Sequence, residues 1–100
     1  MIKHIVMMRV KESFDGKSKN EIIYELKSKL ETLPPIIPQI KHYEVGIDLN
    51  LINVSFDLVL ISEFENVNDL EKYKFNPEHQ QVGQYIHQVT DTRAVVDFEF

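Results

Sequence analysis

The chain predicts an α+β fold, a ferredoxin-like β-α-β-β-α-β plait, and three observations in its 100 residues point there. Segments near 2–10, 40–49, 54–63 and 93–100 are rich in Ile, Val, Met and Phe, or alternate apolar with polar, as strands do. Between them lie two helical stretches with recognisable start signals, the second broken into two short helices. Several strands are apolar on both faces, which one layer of helices cannot cover.

Strand one, 2–10, places Ile2, Val6, Met8 and Val10 on one side and Ile5 and Met7 on the other. Helix one follows Phe14-Asp15-Gly16. Ser18 and Glu21 match a capping box, in which each side chain accepts from the other's free backbone N–H. Ile22, Ile23, Leu26, Leu30 and Leu33 then recur at helical spacing. Pro34, Pro35 and Pro38 exclude further helix, since proline has no N–H to donate and its ring collides with the preceding turn. Strand two, 40–49, sets Tyr43, Val45 and Ile47 against the more polar His42 and Glu44, and 50–53 reads as a turn. Strand three, 54–63, faces Phe56, Leu58 and Leu60 one way and Val59 and Ile61 the other.

Asn66 opens a short helix with Asp69 in its first turn and Val67, Leu70 and Tyr73 on its inner side. Asn76-Pro77 restarts the helix, because Asn caps free N–H groups and Pro suits the first helical position. His79, Val82, Ile86 and Val89 form the inward stripe of this helix. Strand four, 93–100, puts Ala94, Val96, Phe98 and Phe100 opposite Val95. The expectation is one domain over 1–100. Its uncovered second sheet face needs a partner, and a second copy of the chain is the cover expected, at about 700–1,000 Å² per subunit.

The formal charge of −5 and the lack of a basic cluster argue against nucleic acid, whose phosphates demand clustered Lys and Arg. With no Cys, disulfides, thiolate metal sites and cysteine nucleophiles are excluded. The apolar opening is interrupted by Lys3, His4 and Arg9 and lacks a small-residue cleavage site, so it does not read as a signal peptide. No run approaches the roughly 20 apolar residues of a membrane span. The expectation is a cytoplasmic protein without membrane or nucleic-acid partners. Three scattered glycines make no phosphate loop, and no two histidines stand at short ligand spacing, so neither cofactor nor metal is expected.

Tyr73 and His79 point inward across the joint between the two short helices, and His4 shares a face of strand one with Val6 and Met8. These five residues are the candidate ligand-binding set, with His79 and Tyr73 the candidate catalytic pair. A neutral buried imidazole can take a proton from a carbon acid while a tyrosine hydroxyl donates to the developing oxyanion. The structural alternative has His79 bonded to a backbone carbonyl, stabilising the joint, and His4 as a satisfied core histidine. His42 and His87 read as solvated.

In order and spacing, Ile2-Lys3-His4-Ile5-Val6, Glu44-Val45-Gly46-Ile47-Asp48, Phe56-Asp57-Leu58-Val59, Tyr73 with Asn76-Pro77-Glu78-His79, and Val96-Asp97-Phe98 resemble the stress-responsive dimeric α/β-barrel (Dabb) domain family over nearly the whole chain. The resemblance implies a homodimer whose two sheets pack face to face as an α/β barrel. It also brings in a plant polyketide cyclase that performs an intramolecular aldol condensation. The His and Tyr of that enzyme match His79 and Tyr73, and its strand-one His matches His4. The family commonly has His-Pro-x-His before the last helix, and here the first of these is Asn76, which weakens a second-histidine role more than the fold.

The leading expectation is therefore a stress-responsive α/β-barrel protein binding a small apolar or aromatic ligand between sheet and helices. The alternatives are a cyclase, isomerase or lyase with His79 as base and Tyr73 as hydrogen-bond donor, and a purely structural dimerisation module. Only the last requires a filled core.

Overall fold

The structure is a computed structural model describing residues 1–100. In chain order it comprises β1 (Ile2–Val10), β2 (Ser13–Phe14), β3 (Lys17–Ser18), α1 (Lys19–Glu31), β4 (His42–Ile47), β5 (Leu58–Phe64), α2 (Val67–Phe75), α3 (Pro77–Val89) and β6 (Thr90–Glu99). The four long strands form one antiparallel sheet in the order β4-β5-β1-β6. With the helices on one face, this is the ferredoxin-like plait. Its shortest dimension is 18 Å, enough for one sheet and one helical layer.

Local signals set the helix starts. The Glu21 N–H donates to Ser18 Oγ and the Ser18 N–H to Glu21 Oε1, both at 3.2 Å, closing the capping box; such a cap is worth about 1 kcal/mol. Asn66 Oδ1 accepts from the Asp69 N–H at 2.8 Å, and Asn76 Oδ1 from the Glu78 N–H at 2.9 Å, with Pro77 beginning α3. The chain leaves α1 after Glu31, and Leu33 and Ile37 enter the core from the turns that follow, both fully buried.

Side-chain alternation sorts the sheet into two faces. Ile2, His4, Val6, Met8 and Val10 are buried under the helices, joined there by Leu58, Leu60 and Ser62 of β5 and Val45 of β4. The other face carries Ile5, Met7, Val59, Ile61, Ala94, Val96 and Phe98, paired across the strands as Ile5 with Ile61 and Val96, and Met7 with Val59 and Ala94. No helix reaches it, and Met7, Val96 and Phe98 are each 40–58% exposed.

Several boundaries differ from the sequence reading. Strand three starts at Leu58, not 54, although Val54 and Phe56 have strand-like side chains. Asp57 ends the ladder: its N–H donates to the Met8 carbonyl and its carboxylate accepts from the Val10 N–H, both at 2.8 Å. Residues 48–57 form a loop closed at its base by the Asp48 N–H and the Asp57 carbonyl, 2.9 Å apart, with Asn50 at φ 61°. Phe56 thus leaves the Leu58 row and lies 4.5 Å from the Arg9 guanidinium. Strand two is shorter than expected, 42–47, because those residues are the ones opposed by β5. Strand four starts earlier, at Thr90, since pairing with Val10 carries the ladder to the end of α3.

The β2–β3 hairpin was not anticipated. Asp15 and Gly16 adopt φ 50° and 79°, and two central residues at positive φ are what a tight hairpin turn requires. Lys17 pairs with Glu25 and so ties this hairpin to α1. Val67, expected inward, is 57% exposed at the first position of α2, leaving Leu70 and Tyr73 as the buried residues of that helix.

Candidate functional site

Tyr73 stands at the centre of the joint between α2 and α3 with no exposed surface. Its ring centroid lies 4.3 Å from that of His79, 4.9 Å from Phe64, 6.1 Å from Tyr43 and 6.3 Å from His4. Beside it, between the inner face of β1 and β6 and helices α2 and α3, is a cavity of about 310 Å³. All five residues singled out from the sequence, His4, Val6, Met8, Tyr73 and His79, line it. Leu60, Ile86 and Val95 add to its apolar wall, and Gly83, Lys74 and Arg93 complete one side.

The polar groups are held by specific partners. His79 Nδ1 lies 3.1 Å from the Lys74 carbonyl. A carbonyl only accepts, so Nδ1 carries the proton and Nε2 of the neutral ring keeps its lone pair. Burial pushes the His79 pKa below the usual histidine value, partly opposed by the bond to Lys74. His4 Nδ1 pairs with the Asp97 carboxylate, directly across the β1–β6 ladder. That contact likewise directs the His4 Nε2 away from the carboxylate. Lys74 Nζ lies 3.9 Å from the same Asp97.

The hydroxyls of Tyr43 and Tyr73 are 2.8 Å apart. Desolvation raises the pKa of Tyr73 to about 12 and that of Tyr43 still higher, so both remain protonated at neutral pH. Two hydroxyl protons serve one shared bond, and the second is left to donate elsewhere. His42 and His87 are solvent-exposed, and no group of three or more His, Asp or Glu is arranged to hold a metal ion.

Tyr43, Asp97, Arg93 and Gly83 were not identified as site residues from the sequence. Alternation put Tyr43 on the more apolar side of its strand, with Val45 and Ile47, but nothing local revealed a hydroxyl partner 30 positions away. Asp97 becomes visible only through the register that sets it opposite His4.

The family model described as the stress responsive A/B barrel domain matches residues 2–100. The chain belongs to this family. Among solved structures, a dimeric protein of unknown function with a ferredoxin-like fold from Bacteroides fragilis is 32% identical to this α/β-barrel domain. Coverage is 99% of this chain and 95% of that one, at a TM-score of 0.86. A dimeric ferredoxin-like protein of unknown function from Thermobifida fusca is 23% identical, at a TM-score of 0.85 over 99% and 90% of the two chains. A hydroxynitrile lyase from Passiflora edulis is 20% identical, at a TM-score of 0.81 over 97% and 90%. At these lower identities the likeness is one of fold. No curated protein matches the chain in sequence. No helix of this α/β-barrel domain is long and apolar enough to cross a membrane.

His79 makes the stability of the domain pH-dependent. Its folded-state pKa lies below the value of about 6.5 expected in the unfolded chain, so on acidification the unfolded state binds the proton first. The stability tied to the neutral ring is complete above about pH 6.5 and is lost as the pH falls from there through the folded-state value. Melting temperatures measured from pH 8 to 5 are expected to fall more steeply for the wild type than for His79→Gln. Parallel curves would rule out a buried neutral His79.

Proposed function

We propose that the protein is a homodimer whose protomers each bind a small apolar or aromatic ligand in the cavity between sheet and helices. The observation that carries this reading is the cavity itself, about 310 Å³ with an apolar wall and two imidazoles and a tyrosine on one side. A few hundred cubic ångströms with a few convergent polar groups is the usual form of a small-molecule site. A module that served only to dimerise would be expected to fill this space with side chains. The exposed apolar sheet face, and the dimeric neighbours of the same fold, support the homodimer.

A second reading, an enzyme that abstracts a proton next to a carbonyl, is favoured by the bond from His79 Nδ1 to Lys74. It leaves Nε2 unprotonated, as a general base requires, in a ring whose depressed pKa keeps it neutral. The free hydroxyl proton of the Tyr43–Tyr73 pair would then stabilise the enolate oxygen.

The test is a thermal-shift screen of wild type and His79→Ala against carbonyl compounds and aromatic acids. A ligand at 100 times its Kd stabilises the native state by about 2.7 kcal/mol. His79→Ala is expected to abolish that shift while the dimer stays folded. The variant is expected to lose about 1–3 kcal/mol without ligand under either reading, because the Lys74 carbonyl is orphaned; if His79 serves only the joint, the ligand shift should persist on that lower baseline. Should wild type and variant respond identically to every compound, the assigned site is wrong.

A further inference from the structure

The charge of the cavity wall is opposite in sign to that of the protein. The chain has a formal net charge of −5, with 16 acidic residues. None of those acids lines the cavity, whereas Lys74 and Arg93 both do. Lys74 is already engaged, with its ammonium 3.9 Å from Asp97. Arg93 belongs to none of the ion pairs of the chain. It sits on β6 opposite Met8, on the inner face two residues before Val95, and, although solvent-exposed, it lines the cavity together with Met8, Val6 and Ile86. An uncommitted cation at one end of an apolar chamber is a two-part recognition surface.

Resting on the ligand-binding reading above, we infer that the ligand is an organic acid, with its carboxylate bound by Arg93 at the mouth and its apolar body against Val6, Met8 and Ile86. A guanidinium presents a planar fork of N–H donors that matches the two oxygens of a carboxylate. One free guanidinium also balances one negative charge; a phosphate dianion would call for more donors than this rim provides. Gly83 of α3 also lines the cavity. A Cβ built there meets nothing within 4 Å, so a larger side chain would project into free space without displacing the helix.

The experiment uses a matched pair, 4-phenylbutanoate and 4-phenylbutanamide, titrated calorimetrically into wild type, Arg93→Gln and Gly83→Leu, with 4-phenylbutyl phosphate as a third probe. Wild type is expected to bind the acid about tenfold or more tightly than the amide, a preference that shrinks as salt is added. Arg93→Gln should bring the acid down to the affinity of the amide and leave the amide unchanged. Gly83→Leu should weaken both, because it occupies the chamber. Equal binding of acid and amide by wild type would overturn the carboxylate assignment while leaving the cavity reading in place. Tighter binding of the phosphate than of the carboxylate would overturn it too. Binding of none of the three, or no effect of Gly83→Leu on any, would overturn both.

Discussion

Val96→Asp is expected to turn a dimeric protein into a monomer. Val96 is 58% exposed in the isolated protomer and lies on the uncovered sheet face, on the edge strand β6, beside Ile5 on β1 and between Ala94 and Phe98 on its own strand. Stable interfaces bury roughly 1,200–2,000 Å² in total, with a core depleted of charge. A carboxylate in that core loses its water without gaining a partner, a cost of several kcal/mol. By two-fold symmetry the dimer suffers it twice. Light scattering at micromolar concentration should therefore show half the wild-type mass. Because Val96 contributes nothing to the core under the helices, the far-ultraviolet circular dichroism should keep its α+β form. A wild type that is itself monomeric, or a variant that stays dimeric, would refute the assignment of this face.

Tyr73→Ala is expected to cost about 3–5 kcal/mol, the usual range for a fully buried aromatic reduced to alanine. The ring has no exposed surface and packs against Phe64 and His79 at centroid distances of 4.9 and 4.3 Å, so its removal leaves a void at the junction of β5, α2 and α3. For a domain of this length each kcal/mol moves the melting temperature by about 4–8 °C, which puts the drop at roughly 12 °C or more. Tyr73→Phe separates ring from hydroxyl. It keeps the packing and removes only the partner of Tyr43 at 2.8 Å, for an expected loss of about 1–3 kcal/mol. Chemical denaturation of the two variants measures both terms. If Tyr73→Ala costs no more than Tyr73→Phe, the ring is not the hub of the joint.

What was legible in the sequence was what neighbouring residues decide among themselves. Ser18 with Glu21, Asn66, and Asn76 with Pro77 set the helix starts, because a cap acts within one turn of its own residue. Alternation assigned His4, Val6 and Met8 to one face and Ile5 and Met7 to the other, because the pleat has a period of two wherever the strand lies. The inward direction of Tyr73 and His79 followed from helical spacing in the same way. The tertiary structure alone decided who meets whom. The loop at 48–57 is as apolar as a strand, with Leu49, Leu51, Ile52 and Val54 all exposed. It is not a strand because Asp57 caps the Val10 N–H from 47 residues away and ends the ladder. Asp97 reached His4 across 93 residues, Tyr43 reached Tyr73 across 30, and Arg93 came to the cavity through its register with Met8. Periodicity fixes the face a side chain points to, whereas its partner depends on strand order and register, which are set by burial summed over the whole sheet.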